Sequence, residues 1–297
     1  MSAPAGTARG ASATRTVALA ALAIGACAIA FAPIFVRLSE TGPTASAFWR
    51  TALALPFLWG WAFAAPRTAG DRGSPLATPM VLAGLFFAGD LAVWHFSILF
   101  TSVANSTLLA NLAPIFVTVG AWLLFGQRVT RTFLAGMTIA MVGAFVLVGP
   151  SFGFGGKQLL GDALGVVTAM FYGAYMLAVK HLREARSTAQ IMAVSTTICA
   201  IALLPLALAS GETMLPATAG GWLTLLGLAL VCQTAGQSLI AYAMAHLPAS
   251  FSSVSLLLQP AMATLYAWAI LGERAGLAQL AGGAVILAGI WLARKGS

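Results

Sequence analysis

Along this chain long apolar runs alternate with short polar breaks, and run length, rather than any amphipathic period, is the dominant signal. Ten runs stand out, at about 17–36, 44–64, 76–99, 105–125, 132–149, 158–179, 189–209, 222–243, 248–271 and 277–293. A bilayer core of about 30 Å needs about 20 apolar residues, each rising about 1.5 Å along a helix. The pattern therefore predicts an all-α membrane protein with ten transmembrane helices. The longest breaks are 65–79, rich in Pro, Gly and Arg, and 150–156, nearly all Gly, Pro, Phe and Ser. The second divides the runs into two sets of five.

The last third of the chain repeats an earlier stretch without a gap. Pro114 matches Pro260, Trp122 matches Trp268, Gly126 matches Gly272, Arg128 matches Arg274, Gly136 matches Gly282 and Gly143 matches Gly289, always at one offset (260 − 114 = 146). An apolar internal repeat is the mark of transporters built from two similar halves around a central site. Because each half has an odd number of helices, the second enters the bilayer upside down relative to the first. The expected architecture is two inverted five-helix repeats, 17–149 and 158–293, around a central cavity, with a connecting loop at 150–157 and tails at 1–16 and 294–297. Such a pair carries a pseudo-two-fold axis in the membrane plane, and its two conformations open the site to opposite sides.

Composition narrows the class further. The chain of 297 residues is 60% hydrophobic and 7% charged, with a mean hydropathy of +0.94, where an ordinary soluble domain has about a quarter of its residues charged. The net charge of +8 does not argue for nucleic acid, because the basic residues stand singly between apolar runs and form no stripe with interleaved aromatics. They set orientation instead. With the breaks assigned to alternate sides, eleven of the fifteen Lys and Arg fall together and only Arg37, Arg50, Lys157 and Arg274 face the other way. Both termini are then cytoplasmic. The polar, basic stretch 1–16 precedes a run that is long for a secretory signal, so this run is read as a retained first helix.

Chemistry-bearing motifs are few. Cys27, Cys199 and Cys232 each lie inside an apolar run without metal-ligand spacing, so no disulfide framework, metal or cofactor is expected. No G-x-x-x-x-G-K-[ST] loop, no H-E-x-x-H and no Gly-x-Ser-Gly-type nucleophile occurs, and His95, His181 and His246 are widely scattered. These absences argue against an ATP engine and against an intramembrane enzyme. A gradient must supply the energy; proton antiport and facilitated diffusion both stay open, and the scarcity of buried titratable groups leans toward the second.

Ten helices in two inverted halves, with a proline in each repeat and a terminal Gly-Glu-Arg, resemble the drug/metabolite transporter superfamily, specifically its EamA family. The matching text is SVANSTLLANLAPIFVTVGAWLLFGQR from Ser102 and PASFSSVSLLLQPAMATLYAWAILGER from Pro248, with FWRTALALP at 48–56 similar to the family's second helix. The resemblance implies a basket in which helices 1, 3, 4, 6, 8 and 9 line a cavity while 5 and 10 support it from outside. It also implies export of amino acids, aromatic ones among them, and related small metabolites across a bacterial inner membrane. A drug or lipophilic-cation carrier is the near alternative, and a channel a more distant one. The first half departs from the pattern with Gln127 where the second has Glu273, and with FAPIFV at 31–36.

Polar residues inside apolar runs are the candidate substrate contacts, since a polar group at membrane depth is costly unless it faces protein or a water-filled cavity. Asp90 is the only acidic residue well inside a run, and it shares a helix face with Trp94 and Ser97. It is read as a receptor for a substrate ammonium or as a titrating group, with a partner for a freed backbone group as the structural alternative. Trp94 offers an indole face, and His95 a ring that titrates near neutrality. Gln233 and Gln237 stand one turn apart with amides that give and accept hydrogen bonds, suited to an amino acid's carboxylate and ammonium or to bonding between helices. Asn111, Gln259 and Tyr175 complete the expected set. Pro114 and Pro260 each remove an amide donor and mark hinges or cavity walls. Arg50, near Arg37 and Glu40 in sequence, is read as snorkelling or pairing at the membrane interface. Gly136 with Gly143, and Gly282 with Gly289, give each of helices 5 and 10 a small-residue face for contact between halves or in a homodimer.

Overall fold

Prolines decide where these apolar helices break, and glycines decide where they touch. The computed structural model describes residues 5–72, 74, 76–101, 103–149, 156–273 and 276–297, without the side chains of 5–12, Arg72, His95, Val103 and Ala104. Among the described residues every regular element is helical. The order is α1 (Ala5–Ile29), α2 (Ala32–Leu38), α3 (Pro43–Ala52), α4 (Leu55–Ala64), α5 (Thr78–Ile98), α6 (Val103–Ala110), α7 (Ala113–Phe125), α8 (Arg131–Val148), α9 (Gly156–Leu182) and α10 (Thr188–Ala209). There follow α11 (Ala219–Gly227), a π-helical segment at Leu228–Gln237, α12 (Ser238–His246), α13 (Ala249–Ser255), α14 (Leu258–Leu271) and α15 (Leu277–Lys295).

Nine helical stretches among the described residues are long and apolar enough to cross a membrane. The run at 44–64 differs. It forms α3 and α4, ten residues each, and each is about 15 Å long, half a bilayer core. Pro56, in the first turn of α4, has no amide hydrogen for the Ala52 carbonyl. The chain turns there instead, with Leu53 N–H donating to Trp49 O at 3.0 Å and Ala54 N–H to Thr51 O at 3.2 Å. A count of ten crossings depends on taking this broken pair as one.

The repeat is visible in local geometry. α6 gives way to α7 just before Pro114, and α13 to α14 just before Pro260. Gly126 (φ 63°) and Gly272 (φ 69°) end α7 and α14 in the left-handed region that glycine adopts without strain. The next amides close both ends in the same way, Gln127 N–H to Ala121 O at 3.2 Å and Glu273 N–H to Ala267 O at 3.3 Å.

α8 and α15 form the closest seam between the halves. A Cβ on Gly136 would meet Ala293 N at 2.3 Å, and one on Gly282 would meet Leu147 N at 2.6 Å. These two contacts exchange under the 146-residue offset. So do the contacts of Gly143 with Ile286 N (2.6 Å) and of Gly289 with Ala140 N (2.3 Å). Antiparallel helices whose contacts exchange in this way are related by a local two-fold axis across their length. The glycine faces are occupied within the chain, so they are not available to a second protomer.

Two carboxylates tie the first half to the second at opposite ends of another antiparallel pair. Beyond the end of α4, Asp71 accepts from Ser187 N–H at 3.0 Å, the N-cap of α10. Beyond the end of α10, Glu212 accepts from Ala45 N–H and Thr44 Oγ1–H, both at 3.0 Å, in the first turn of α3. Helix N-termini favour such negative charge. Outside the bundle, Leu123, Leu124, Trp268 and Trp291 are all more than half exposed, an apolar girdle that suits lipid rather than water.

Candidate functional site

Where the broken helices α6–α7 and α13–α14 face each other, the bundle leaves a cavity of about 180 Å³. Its walls repeat. Thr107 lines it with Ser253, Ala110 with Leu256, Asn111 with Leu257 and Ala113 with Gln259, each pair at the 146-residue offset. A cavity whose opposite walls exchange under the repeat lies on the pseudo-two-fold axis. α8 and α15 contribute nothing to its lining, while α1, α3, α5, α9 and the end of the π segment do.

Arg50 is the residue that sequence reasoning misplaced. It is only 8% exposed and stands on the cavity wall rather than at the membrane interface. Its Nε donates to Gln233 Oε1 at 3.0 Å, and Gln233 Nε2 donates in turn to Thr196 Oγ1 at 3.1 Å. The guanidinium carbon lies 5.8 Å from the centre of the Phe87 ring, within cation–π range. An arginine seven positions into an apolar run, with a glutamine elsewhere to receive it, was the available signal. Its nearness in sequence to Arg37 and Glu40 hid this.

Asp90 lines the same cavity and lies close enough to Arg50 for their charges to attract. Asn111, Gln237 and Gln259 also line it, as does Pro114. The Asn111 Nδ2 atom is buried and makes no hydrogen bond, a costly state for an amide donor. Tyr172, rather than Tyr175, faces the cavity, with its hydroxyl beside Gln237 and Gln259. Tyr175 lies behind the wall, its ring stacked on Phe87 at 4.7 Å and its hydroxyl 3.9 Å from Met192 Sδ.

Two further expected contacts, Gln233 and Trp94, do not line this cavity. Gln233 sits behind the wall, fully buried, bracing Arg50. Trp94 is half-buried and absent from the lining, and on the same face Ser97 donates to Gly161 O at 2.7 Å and so joins α5 to α9. The His95 side chain lies outside the described residues. Pro260 is not on the wall, although its neighbour Gln259 is.

A second cavity, of about 230 Å³, opens between α2 and α14. Its charged groups are Arg37 and Glu273, which form an ion pair with each other. Glu273 therefore has a partner, whereas the Oε1 atom of Gln127, its repeat counterpart, is buried without one. Nearby Glu40 accepts from Thr218 Oγ1–H and from the amides of Thr218 and Ala217, and these bonds hold its carboxyl below the usual range.

An apolar helical bundle whose halves exchange contacts about a local two-fold axis, with a small polar cavity on that axis, is the build of a membrane transporter. Two regions of the chain, 16–149 and 159–294, match the model of the EamA-like transporter family. The chain belongs to that family and is a multi-pass membrane transporter, not an enzyme. It is 28% identical to an uncharacterized transporter of Archaeoglobus fulgidus over 92% of this chain and 95% of that one. It is 25% identical to the pseudopaline exporter CntI of Pseudomonas aeruginosa over 74% of this chain and 76% of that one. A probable terminal-alkyne amino-acid exporter of Streptantibioticus cattleyicolor is 30% identical over 64% of each chain.

Proposed function

We propose that this protein exports amino acids, aromatic ones among them, and related small metabolites across the bacterial inner membrane. Both termini lie in the cytoplasm, and transport proceeds by alternating access. The observation that carries the reading is the pairing of one buried cation, Arg50, with one anion, Asp90, on the wall of a single small cavity. Charges at membrane depth are retained where they meet a substrate or each other. A zwitterion satisfies both, with Tyr172 and Phe87 beside them for an apolar side chain. The exporters among the relatives support the direction of transport. Because the cavity lies between repeat-related walls, moving one half against the other opens it first to one side and then to the other.

A carrier of lipophilic cations is the second reading, and Asp90 favours it. Arg50 opposes it, since a cation entering the cavity meets a fixed positive charge. The test is counterflow in liposomes loaded with unlabelled amino acids, with and without an imposed proton gradient. Saturable exchange independent of the gradient supports a facilitative amino-acid carrier, and accumulation driven by the gradient supports antiport. Exchange of lipophilic cations in place of amino acids overturns the reading.

A further inference from the structure

Among the residues that line the cavity, Arg50 is the one cation and Asp90 the one anion. Arg50 uses Nε on Gln233, which leaves both terminal nitrogens of the guanidinium for the cavity that it lines. Asn111 and Gln259 line the same cavity; the Asn111 amide nitrogen is buried without an acceptor, and the Gln259 amide lies within hydrogen-bonding reach of the Tyr172 hydroxyl. The two residues come from α6–α7 and α14, on opposite sides of the repeat axis, while Arg50 comes from α3. Native proteins seldom leave a buried amide donor unpaired, and a site that does so is prepared for an acceptor from outside. A carboxylate supplies two oxygens with about four lone-pair positions, and the planar guanidinium fork matches it in a bidentate fashion.

We propose that Arg50, flanked by the amides of Asn111 and Gln259, is the carboxylate receptor of this cavity, so that the protein selects substrates that carry a free carboxylate. Gln233 is a positioning residue: bonded at once to Arg50 and to Thr196 on α10, it fixes the plane of the guanidinium. Asp90 then faces the ammonium end of the same molecule. This rests on the transport reading above and narrows it, because neither an amine nor an ester of the same shape would meet these donors.

The experiment uses the full chain in liposomes with phenylalanine, phenylalanine methyl ester and phenethylamine as competitors for exchange of labelled phenylalanine. A charge-assisted bidentate contact is expected to make the ester and the amine at least about tenfold weaker than the acid. In Arg50→Gln that gap closes to about threefold or less, and in Arg50→Lys, which keeps the charge and loses the fork, it falls between. Gln233→Leu raises KM for phenylalanine and leaves the maximal rate. Thermal unfolding of each purified variant, with and without the three compounds, separates loss of recognition from loss of fold, and the comparison in the unaltered protein needs no variant at all. An ester or amine that competes as well as the acid, or an Arg50→Gln protein that keeps the gap, overturns the inference while the transport reading stands. If phenylalanine is not exchanged but shifts the unfolding temperature through Arg50, and phenethylamine does not, the transport reading falls and the receptor stands. If none of the three is exchanged or shifts unfolding, the receptor falls as well.

Discussion

The α8–α15 seam and the cavity wall are built from the same repeat, yet they treat it in opposite ways. At the seam, glycine faces glycine-bearing backbone on both sides of the axis, and the backbone contacts of Gly136, Gly143, Gly282 and Gly289 exchange in pairs 146 positions apart. At the wall the positions correspond, but two of the four pairs differ in polarity: Asn111 opposes Leu257 and Gln259 opposes Ala113. Backbone contact is a property of the fold, and a two-fold fold asks the same of both halves. A small zwitterion, the substrate proposed above, has no two-fold symmetry. The groups that read it must differ across the axis, even when the helices that carry them are equivalent.

The largest expected effect tests the symmetric region. Gly143→Leu and Gly289→Leu each place a side chain where a Cβ alone would come within 2.6 Å and 2.3 Å of backbone nitrogen. No rotamer relieves a clash with backbone, so both variants should lose more than the about 1–3 kcal/mol typical of overpacking. The check is the yield and unfolding temperature of the purified proteins. The two should fall together, and a large loss in only one would break the claim that the seam is symmetric.

At the wall, Asp90→Asn should leave folding almost untouched and lower exchange of amino acids about tenfold to a hundredfold, the worth of one charge-assisted hydrogen bond. Counterflow read beside thermal unfolding separates the two quantities. A milder and more pointed test makes the wall symmetric. Gln259→Ala turns the second-half position into its counterpart Ala113 and removes one donor, with an expected loss of affinity of about three- to tenfold. The reverse change, Ala113→Gln, adds side-chain volume to a cavity of about 180 Å³ and should slow exchange without raising affinity. Equal affinity in Gln259→Ala and the parent would mean that the asymmetry of the wall is incidental.

The same contrast explains what could be read from the chain beforehand. The apolar runs, the repeat and the glycine faces were legible because run length and spacing carry them without any knowledge of helix rotation. Asp90, Asn111, Gln237 and Gln259 were legible as polar residues in apolar surroundings. The rest needed orientation, which a helix apolar on all sides does not encode. Periodicity alone did not tell Tyr172 from Tyr175, or the bracing Gln233 from the lining Gln237. Two local irregularities deepened the problem: the break at Pro56, which divides the second run beyond Arg50, and the π-helical turn at Leu228–Gln237. That turn carries five amide spacings per bond in place of four, so helical projections made across it drift.

The smallest effect concerns the carboxylates that cross-cap α3 and α10, and pH reaches it without touching the cavity. Burial raises the Asp71 carboxyl, but hydrogen bonds from the Thr68 and Ser187 amides and from their side chains outweigh it, and the group sits below the ordinary aspartate value. A carboxyl depressed in the folded state stabilises that state above its unfolded pKa, and this contribution disappears as pH falls through the depressed folded value. Unfolding temperature should therefore decline more steeply below about pH 4 in the parent than in Asp71→Asn. The asparagine should lie below the parent at neutral pH by a fraction of a kcal/mol, because a partly solvated cap at a helix N-terminus contributes about 0.3–1 kcal/mol. Exchange of substrate should be unchanged at neutral pH. Parallel acid curves for the two proteins would remove Asp71 from the contacts that hold the halves together.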